Sequence, residues 1–430
     1  MKQREITLFW LPLFASWLLM TAEGPLLSAA VNRLPNEVVM LAALGIVFSL
    51  AVTIESPVIN LLSTSTALVR DLDSYHLVRR FTLHTMFFVT AVGALIAFTP
   101  VFHVVVDQWL DTPPEIAHWV KPGLQILVLW STAIGWRRFL QGILIRFGHT
   151  RVIARGTMLR LVATGGTALA LLAWGELPGI HVATFSMLAG VFSEAIYATL
   201  AIRPVLEHQL PKERDESQEP LTYGQLFWFH LPLTATSLLT LLAQPLVTST
   251  LARLDDPELT LAAWPLIFQA MLVLRAGAFA LPEVVIALGE RPGAMPALRR
   301  FSLSLAVLSS LFLLILVATP LAGFYLVTLQ DTVPAVAALT HLGLWFFIPL
   351  PALATFIAFD RGVLIQHRKT RVVNEGMMIQ MACLVGALAL GLSMRWPGMQ
   401  AAAAAVVFAW TIQWIFLGYR TRSVLGRSLG

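Results

Sequence analysis

The sequence predicts an all-α protein that crosses a membrane many times, and three observations lead to this prediction. Hydrophobic residues make up 57% of the 430 residues and charged residues only 12%, whereas a soluble domain is about a quarter charged. The mean hydropathy is +0.76, and the apolar residues gather in runs of about 20, the length of a helix that crosses about 30 Å of hydrocarbon. The two halves of the chain also repeat one another. We therefore expect two helical bundles that lie in lipid.

Charged residues and Pro- or Gly-containing breaks divide the apolar runs into about twelve predicted transmembrane helices. The predicted spans are 8–31, 37–64, 81–106, 121–145, 157–175, 180–202, 224–251, 259–287, 301–328, 334–360, 373–393 and 399–419. Arginine and lysine collect in the connections that lie on the cytoplasmic side if both termini are cytoplasmic. By the positive-inside rule, we expect a multi-pass protein of the inner (cytoplasmic) membrane with both termini in the cytoplasm. The pI of 9.7 reflects this bias, and we expect no nucleic acid as a partner.

The most polar stretch of the chain, residues 207–221, lies at the midpoint and predicts a cytoplasmic linker. It would separate an N-terminal six-helix bundle, 1–206, from a C-terminal six-helix bundle, 222–430. Because each bundle has an even number of helices, both enter the bilayer the same way round. The predicted fold is therefore two parallel bundles related by a pseudo-two-fold axis along the membrane normal.

The internal repeat itself rests on a constant shift of 220 positions (245 minus 25). Identical dipeptides recur at this shift, among them Pro25-Leu26 with Pro245-Leu246, Arg79-Arg80 with Arg299-Arg300, and Thr150-Arg151 with Thr370-Arg371. Chance matches of leucine and alanine are common in such a sequence, whereas arginines and prolines at one unbroken shift are not. The repeat therefore indicates a duplication.

Duplicated bundles of this kind enclose a cavity that opens to alternate sides of the membrane when the bundles rock, as in secondary transporters. We therefore predict a transporter that works by alternating access rather than an enzyme. The sequence contains no nucleotide-binding loop, zinc motif or nucleophile elbow, so we expect no catalytic residues, no cofactor and no metal. The expected partners are a small-molecule substrate, H⁺ or Na⁺ as a coupling ion, and the lipid bilayer. We expect a monomer.

Acidic residues inside the predicted spans are candidates for ion or proton coupling. A charge at the bilayer centre costs about 2.5–3.5 kcal/mol on insertion scales, and a buried carboxylate can carry a proton from one side to the other. The candidates are Glu23, Glu55, Glu194 and Glu283. Each also has a structural interpretation: contact with lipid headgroups for Glu23, a hydrogen bond between helices for Glu55 and Glu194, and an interfacial position for Glu283.

Basic residues inside the spans indicate the charge of the substrate. Arg275 is equivalent to Glu55 under the repeat (275 minus 55 is 220), so the two halves carry opposite charges at matching positions. A guanidinium group binds a carboxylate or phosphate through two parallel hydrogen bonds. The predicted substrate-binding residues are Arg275, Arg137, Arg138 and Gln244. Alternatively, Arg137 and Arg138 reach water at the interface, and Gln244 bonds a neighbouring helix.

Several local patterns accompany the six-plus-six plan. They are Asn32-Arg33 at the end of the first helix, Gln244-Pro245 in the seventh, and Phe346-Phe347 with Pro349 and Pro351 before Gly362. With these patterns, nearly the whole chain resembles the multidrug/oligosaccharidyl-lipid/polysaccharide exporter superfamily. It is similar to the MATE branch and more closely to the progressive ankylosis protein family. The resemblance implies a V-shaped pair of bundles with a central cavity and an export direction.

The resemblance also implies substrates. The ankylosis family implies small anions such as pyrophosphate, a nucleotide or citrate, and the MATE branch implies cationic drugs driven by H⁺ or Na⁺. Together with the arginines in the spans, it leads us to predict an exporter of a small organic or phosphorylated anion. Two other transport functions stay open at this stage: a MATE-type antiporter of cationic drugs with H⁺ or Na⁺, and a flippase for a lipid-linked substrate.

Overall fold

The computed structural model describes residues 2–212, 220–289, 291, 293–367 and 369–427. Within these ranges every regular element is a helix and no strand occurs, so the all-α prediction is confirmed. Ten helices are long and apolar enough to cross a membrane, and one pair of helices bent by 47° makes an eleventh such span. The protein therefore passes through the membrane many times.

The helices follow the predicted spans in order, and we number the spans one to twelve along the chain. Spans one to six are Gln3–Thr21 with Glu23–Val31, Glu37–Ile54 with Ser56–Ile59 and Leu61–Leu68, Leu72–Phe98, Pro114–Leu127 with Trp130–Arg146, Thr150–Trp174, and Gly179–Ala201 with Arg203–His208. Spans seven to twelve are Tyr223–Leu241 with Ala243–Ala252, Pro257–Leu274 with Ala276–Phe279 and Leu281–Leu288, Ala294–Ala318, Pro334–Phe346 with Leu350–Gln366, Thr370–Ser393, and Gly398–Arg427. Span four is not among the eleven apolar spans because Lys121, Arg137 and Arg138 make it more polar.

The backbone repeats at the same shift of 220 positions as the sequence. Matching interruptions of the helices occur at Ala22 and Leu242, at Glu55 and Arg275, and at Asn60 and Ala280. Left-handed backbone with positive φ also occurs in matching pairs, at Asn36 and Asp256, Asp111 and Asp331, and Gly175 and Arg395. Positive φ is uncommon outside glycine, so its recurrence at one shift supports the duplication independently of residue identity.

The helices form two compact units that each take one span from the other half of the chain. Unit 1 comprises Met1–Arg33 and Leu246–Gly430, and unit 2 comprises Leu34–Pro245. This grouping differs from the predicted bundles, 1–206 and 222–430, because span one joins unit 1 and most of span seven joins unit 2. Of the predicted linker 207–221, residues 213–219 lie outside the described part of the chain.

Polar contacts explain why span one belongs to unit 1. The indole Nε1 of Trp10 donates a hydrogen bond to the carbonyl oxygen of Gly277 at 2.9 Å. Nearer the other end of the span, Ser28 Oγ donates to Gln269 Oε1 at 2.8 Å. Asn32 Nδ2 then donates to the Gln330 carbonyl oxygen, also at 2.8 Å. These bonds tie both ends of span one to helices of the second half.

A different set of contacts holds span seven in unit 2. Asn60, at the second interruption of span two, donates from Nδ2 to the Leu233 carbonyl oxygen at 2.8 Å. His230 Nε2 donates to the Pro57 carbonyl oxygen at 2.8 Å, which leaves Nδ1 to accept from the Thr64 hydroxyl at 2.8 Å. Pro57 interrupts the helix because it has no N–H to continue the ladder, and its carbonyl oxygen accepts a hydrogen bond from span seven at this break.

Gly142 allows the closest approach between spans two and four, and this contact provides a test of the fold. A methyl group there would collide with Ser65 Oγ and with the Leu62 carbonyl oxygen. We expect Gly142→Ala to lower the free energy of unfolding by about 1–3 kcal/mol, as overpacked positions do. The measurement is the melting temperature of the purified protein in detergent.

Gly93→Ala is the matched control for this variant. Gly93 also lies inside a helix, in span three, but a methyl group there meets nothing within 4 Å. Since alanine is the better helix former by about 1 kcal/mol, Gly93→Ala should melt at or above the temperature of the parent. Equal melting temperatures for the two variants would contradict the packing described for spans two and four.

Candidate functional site

Glu55 lies at the interruption of span two, between Glu37–Ile54 and Ser56–Ile59. Its backbone closes the end of the first segment, and the next segment begins at Ser56 with Pro57 in its first turn. The Glu55 side chain is 7% exposed, and its Oε2 atom has no hydrogen-bond partner. A buried carboxylate oxygen that accepts no hydrogen bond is costly. The break in span two therefore carries an acid that is available to bind a proton or a cation.

Arg137 and Glu194 form a buried ion pair between spans four and six. Arg137 Nη1 donates to Glu194 Oε2 at 2.6 Å, and the two side chains are 3% and 1% exposed. The second oxygen of Glu194, Oε1, accepts from Gln141 Nε2 at 3.0 Å. Both carboxylate oxygens are thus satisfied. The structure joins a residue predicted to bind substrate with one predicted to couple an ion.

Arg138 and Arg160 complete a charged group that we call the unit 2 cluster: Glu55, Arg137, Arg138, Arg160 and Glu194. Arg138, Arg137 and Arg160 are the cations close enough to act on the Glu55 carboxylate. Arg138 in turn is within electrostatic range of both Glu55 and Glu194. Each of the two central arginines, 137 and 138, therefore has carboxylates close to it. In the unit 2 cluster, Glu55, Arg137 and Glu194 are buried and Arg138 and Arg160 are half-buried, and the ion pair of Arg137 with Glu194 compensates two of the charges.

Arg275 occupies the equivalent interruption in span eight of unit 1, but its surroundings are different. Its guanidinium carbon lies 4.2 Å from the centre of the Trp410 ring and 5.1 Å from that of Phe279. Cation–π contacts of this kind contribute about 2 kcal/mol when they are shielded from water. Arg275 Nε has no hydrogen-bond partner, and the one charged group acting on Arg275 among the described residues is Arg361.

Arg361 and its neighbour Asp360 are residues that the sequence analysis missed. The predicted span ten ended at 360, which placed both near its boundary, whereas the helix Leu350–Gln366 continues for six residues beyond Asp360. Asp360 is 6% exposed and Arg361 is half-buried. Two consecutive charges inside an apolar run were the available signal. A helix of about 20 residues counted from Pro349 would have included them.

Three further predicted residues lie at or next to helix interruptions. Glu23 is half-buried at the interruption of span one, where it begins the helix Glu23–Val31. Gln244 is half-buried beside the interruption of span seven, and Glu283 is exposed in the first turn of Leu281–Leu288. The charged group that acts on Arg275 is Arg361, not Glu23 or Glu283. Their predicted roles stay predictions.

No protein-family model matches the chain, and no curated protein matches it in sequence. Solved structures, in contrast, match it along almost the full length. An inward-facing multidrug resistance MATE family transporter of the MOP superfamily aligns with a TM-score of 0.73 at 14% identity, over 96% of this chain and 95% of that one. A MOP superfamily transporter from Pyrococcus furiosus, described by the reverse polarity of its binding pocket, aligns with a TM-score of 0.69 at 13% identity, over 99% and 96%.

A Vibrio cholerae MATE transporter also aligns, with a TM-score of 0.67 at 15% identity, over 99% of this chain and 98% of that one. At such identities the likeness concerns the fold. The chain has the fold of the MATE transporters and of the MOP superfamily that includes them. The predicted resemblance to this superfamily is confirmed at that level.

The ion pair of Arg137 with Glu194 leads to a prediction about stability. In Glu194→Gln the Arg137 guanidinium stays buried without its counter-charge, and removal of one partner from a buried pair costs about 3–5 kcal/mol. We expect a large fall in melting temperature. The double variant Arg137→Met with Glu194→Met removes both charges and should recover most of that loss. The measurement is a double-mutant cycle of melting temperatures in detergent.

Arg371 and Glu375 provide the matched control, since they form an exposed ion pair at 3.2 Å with side-chain exposures of 92% and 36%. Exposed pairs contribute at most about 1 kcal/mol, so Glu375→Gln should scarcely change the melting temperature. A Glu194→Gln protein as stable as the double variant would show that the buried pair does not stabilise unit 2.

Proposed function

We propose that this chain is a secondary transporter that works by alternating access and exports a small organic or phosphorylated anion. The fold supports the transport mechanism, because structures with this fold include both inward-facing and outward-facing conformations of a multidrug resistance MATE family transporter. We further propose a monomer in the inner membrane with cytoplasmic termini, since the arginine-rich connections then lie inside.

The surroundings of Arg275 support an anionic substrate and carry this proposal. A cation inside a membrane span is usually paired with an acid, a backbone carbonyl or a substrate. Arg275 has aromatic rings on its sides and a second arginine as its charged neighbour. An incoming carboxylate or phosphate would supply the missing counter-charge. The membrane potential, negative inside, also favours outward movement of an anion by about 2.3 kcal/mol per charge per 100 mV.

Glu55 supports a role for H⁺ or Na⁺. Its buried, unpartnered Oε2 atom can take up a proton or a cation. In the unit 2 cluster three arginines face two carboxylates, a net charge of +1, and a proton on Glu55 changes it to +2. A proton that binds Glu55 and an anion that binds Arg275 alter each other's affinity when both shift the same equilibrium between conformations. We propose that Glu55 is the coupling residue.

A second candidate function is the exchange of a cationic compound for H⁺ or Na⁺, and the Glu55 carboxylate is the observation that favours it. A buried acid can bind an organic cation in one conformation and a proton in the other. This mechanism leaves Arg275 without a role in binding. The two functions therefore differ in which residue the transport depends on, Arg275 or Glu55.

Uptake into proteoliposomes distinguishes the two functions. We expect accumulation of radiolabelled citrate or pyrophosphate but not of an organic cation such as tetraphenylphosphonium. Arg275→Ala should reduce anion uptake at least tenfold, because a hydrogen bond to a charged group contributes about 1.5–3 kcal/mol. Arg371→Ala, an exposed arginine in span eleven, is the control and should transport at the parental rate. Uptake of the cation alone, unaffected by Arg275→Ala, would exclude the anion transporter.

Glu55→Gln tests the coupling residue, since it keeps the shape of the side chain and removes the charge. We expect the variant to continue transporting in an exchange assay without a gradient. Its net uptake should no longer respond to an imposed pH or Na⁺ gradient. The measurement is the ratio of initial rates with and without the gradient. A Glu55→Gln protein that still responds fully would place coupling at another residue.

A further inference from the structure

We propose that unit 1 contains a binding site for a multivalent oxyanion, formed by Arg275 of span eight, Arg361 of span ten and Trp410 of span twelve. The proposal rests on the proposed function for its class of substrate. It adds the position of the site, a second residue that determines specificity, and a preference for anions with two or more charges. Among the described residues, no carboxylate lies within ion-pair distance of Arg275 or Arg361.

Three helices bring these side chains together. The helices Ala276–Phe279 and Leu281–Leu288, which follow Arg275, pack against Leu350–Gln366, the helix that carries Arg361. The same helix packs against Gly398–Arg427, which carries Trp410. The Trp410 ring then lies 4.2 Å from the Arg275 guanidinium. All of these elements belong to unit 1.

Neither arginine is balanced by a carboxylate among the described residues. Both Nε atoms are buried and lack a hydrogen-bond partner. Asp360, although adjacent to Arg361, faces elsewhere: its Oδ2 atom lies close to Gly418, and the charges acting on it are Arg422 and Arg299. The two positive charges repel each other in a region of low polarity, where an ion without a counter-charge is unfavourable. A bound anion is the way to offset that cost.

In the other half of the chain, the equivalent positions carry residues that interact with opposite charges or hydrogen-bond partners. The positions equivalent to Arg275 and Arg361 are Glu55 and Gln141 (361 minus 141 is 220). There Gln141 donates to Glu194, and Glu55 lies near Arg138. The duplicated framework therefore accommodates an acid and an amide at the two positions. Unit 1 has two arginines instead and has no acid that pairs with them.

The orientation of the groups suits an oxyanion. The rings of Trp410 and Phe279 lie 4.2 and 5.1 Å from the Arg275 guanidinium carbon and offer no oxygen acceptor to its N–H groups, which can bind a carboxylate or phosphate bidentately. Gln413 lies one turn after Trp410 on the same side of the helix. It is 1% exposed, and neither its Nε2 nor its Oε1 has a partner. Its amide is a further donor that the protein itself does not use.

Selectivity for multivalent anions follows from the two positive charges. A monovalent carboxylate neutralises one guanidinium and leaves the other uncompensated, whereas a dianion neutralises both. The distinction depends on Arg361, because Arg275 alone would bind either class of anion. Arg361 is therefore the specificity-determining residue of this site.

Equilibrium binding to the purified full-length protein tests the site directly. Citrate, pyrophosphate and acetate are titrated separately into the protein at equal ionic strength. Binding is measured by isothermal calorimetry and by the shift of melting temperature. We expect the Kd for citrate to be at least tenfold lower than that for acetate. Arg361→Gln should weaken citrate binding about tenfold or more and scarcely change acetate binding, so that the preference is lost. Arg371→Gln is the matched exposed control and should bind as the parent does.

A conservative variant distinguishes a loss of anion binding from a loss of folding. Arg361→Lys keeps the charge but loses the planar fork, so its citrate affinity should lie between those of the parent and Arg361→Gln. In the absence of anion, Arg361→Gln should melt at or above the parental temperature, because a repulsion has been removed. A folded Arg361→Gln that binds citrate with parental affinity overturns the proposed site.

The outcomes separate this proposal from the proposed function. One outcome is that anion uptake depends on Arg275 but not on Arg361 and that Arg361→Gln binds citrate as the parent does. This outcome contradicts the two-arginine site but is consistent with anion transport. A parental protein that binds neither citrate nor pyrophosphate and transports an organic cation contradicts both. If Arg361→Gln loses citrate binding and no longer prefers citrate over acetate, the result supports both the two-arginine site and the proposed function.

Discussion

A charge that lies inside a membrane span has to be compensated by something, and this constraint governs the structure around every buried arginine. In unit 2 the compensation is internal, because Glu194 accepts from Arg137 at 2.6 Å and from Gln141 at 3.0 Å. In unit 1 the aromatic rings beside Arg275 supply only part of it. Charge that the protein leaves uncompensated is available to a ligand, and the two units differ in this respect.

Because the chain is duplicated, equivalent positions in the two halves can be compared directly. Helix interruptions and left-handed residues recur at matching positions in the two halves, and so do the π-helices His103–Trp109 and Phe324–Leu329. The backbone framework has therefore been kept while the charges at the interruptions have diverged, to Glu55 in one half and Arg275 in the other.

The membership of the two compact units shows a second kind of constraint. Hydrogen bonds from Trp10, Ser28 and Asn32 hold span one within unit 1. Asn60 and His230 do the same for span seven within unit 2. Inside lipid, apolar contact between helices has little driving force, so buried hydrogen bonds and close packing decide which helices associate. The exchange of spans follows from these polar contacts together with close packing, such as that of Ile6 and Trp10 in the core of unit 1.

The sequence alone determined the membrane class, the all-helical fold, the order of the spans and the repeat at 220 positions. These properties depend on composition, run length and residue identity along the chain, which are local. It also singled out Glu55, Arg137, Glu194 and Arg275, since a charge inside an apolar run is visible without a structure.

Only the tertiary structure decided which of these charges meet. It paired Arg137 with Glu194, placed Arg275 on Trp410, and brought Arg361 into range of Arg275. It also decided that spans one and seven pack with the opposite halves. The physical reason is that each face of a helix contacts a different neighbouring helix. Which faces meet depends on packing and hydrogen bonds between residues far apart in the chain, such as Trp10 and Gly277, and no local pattern records them.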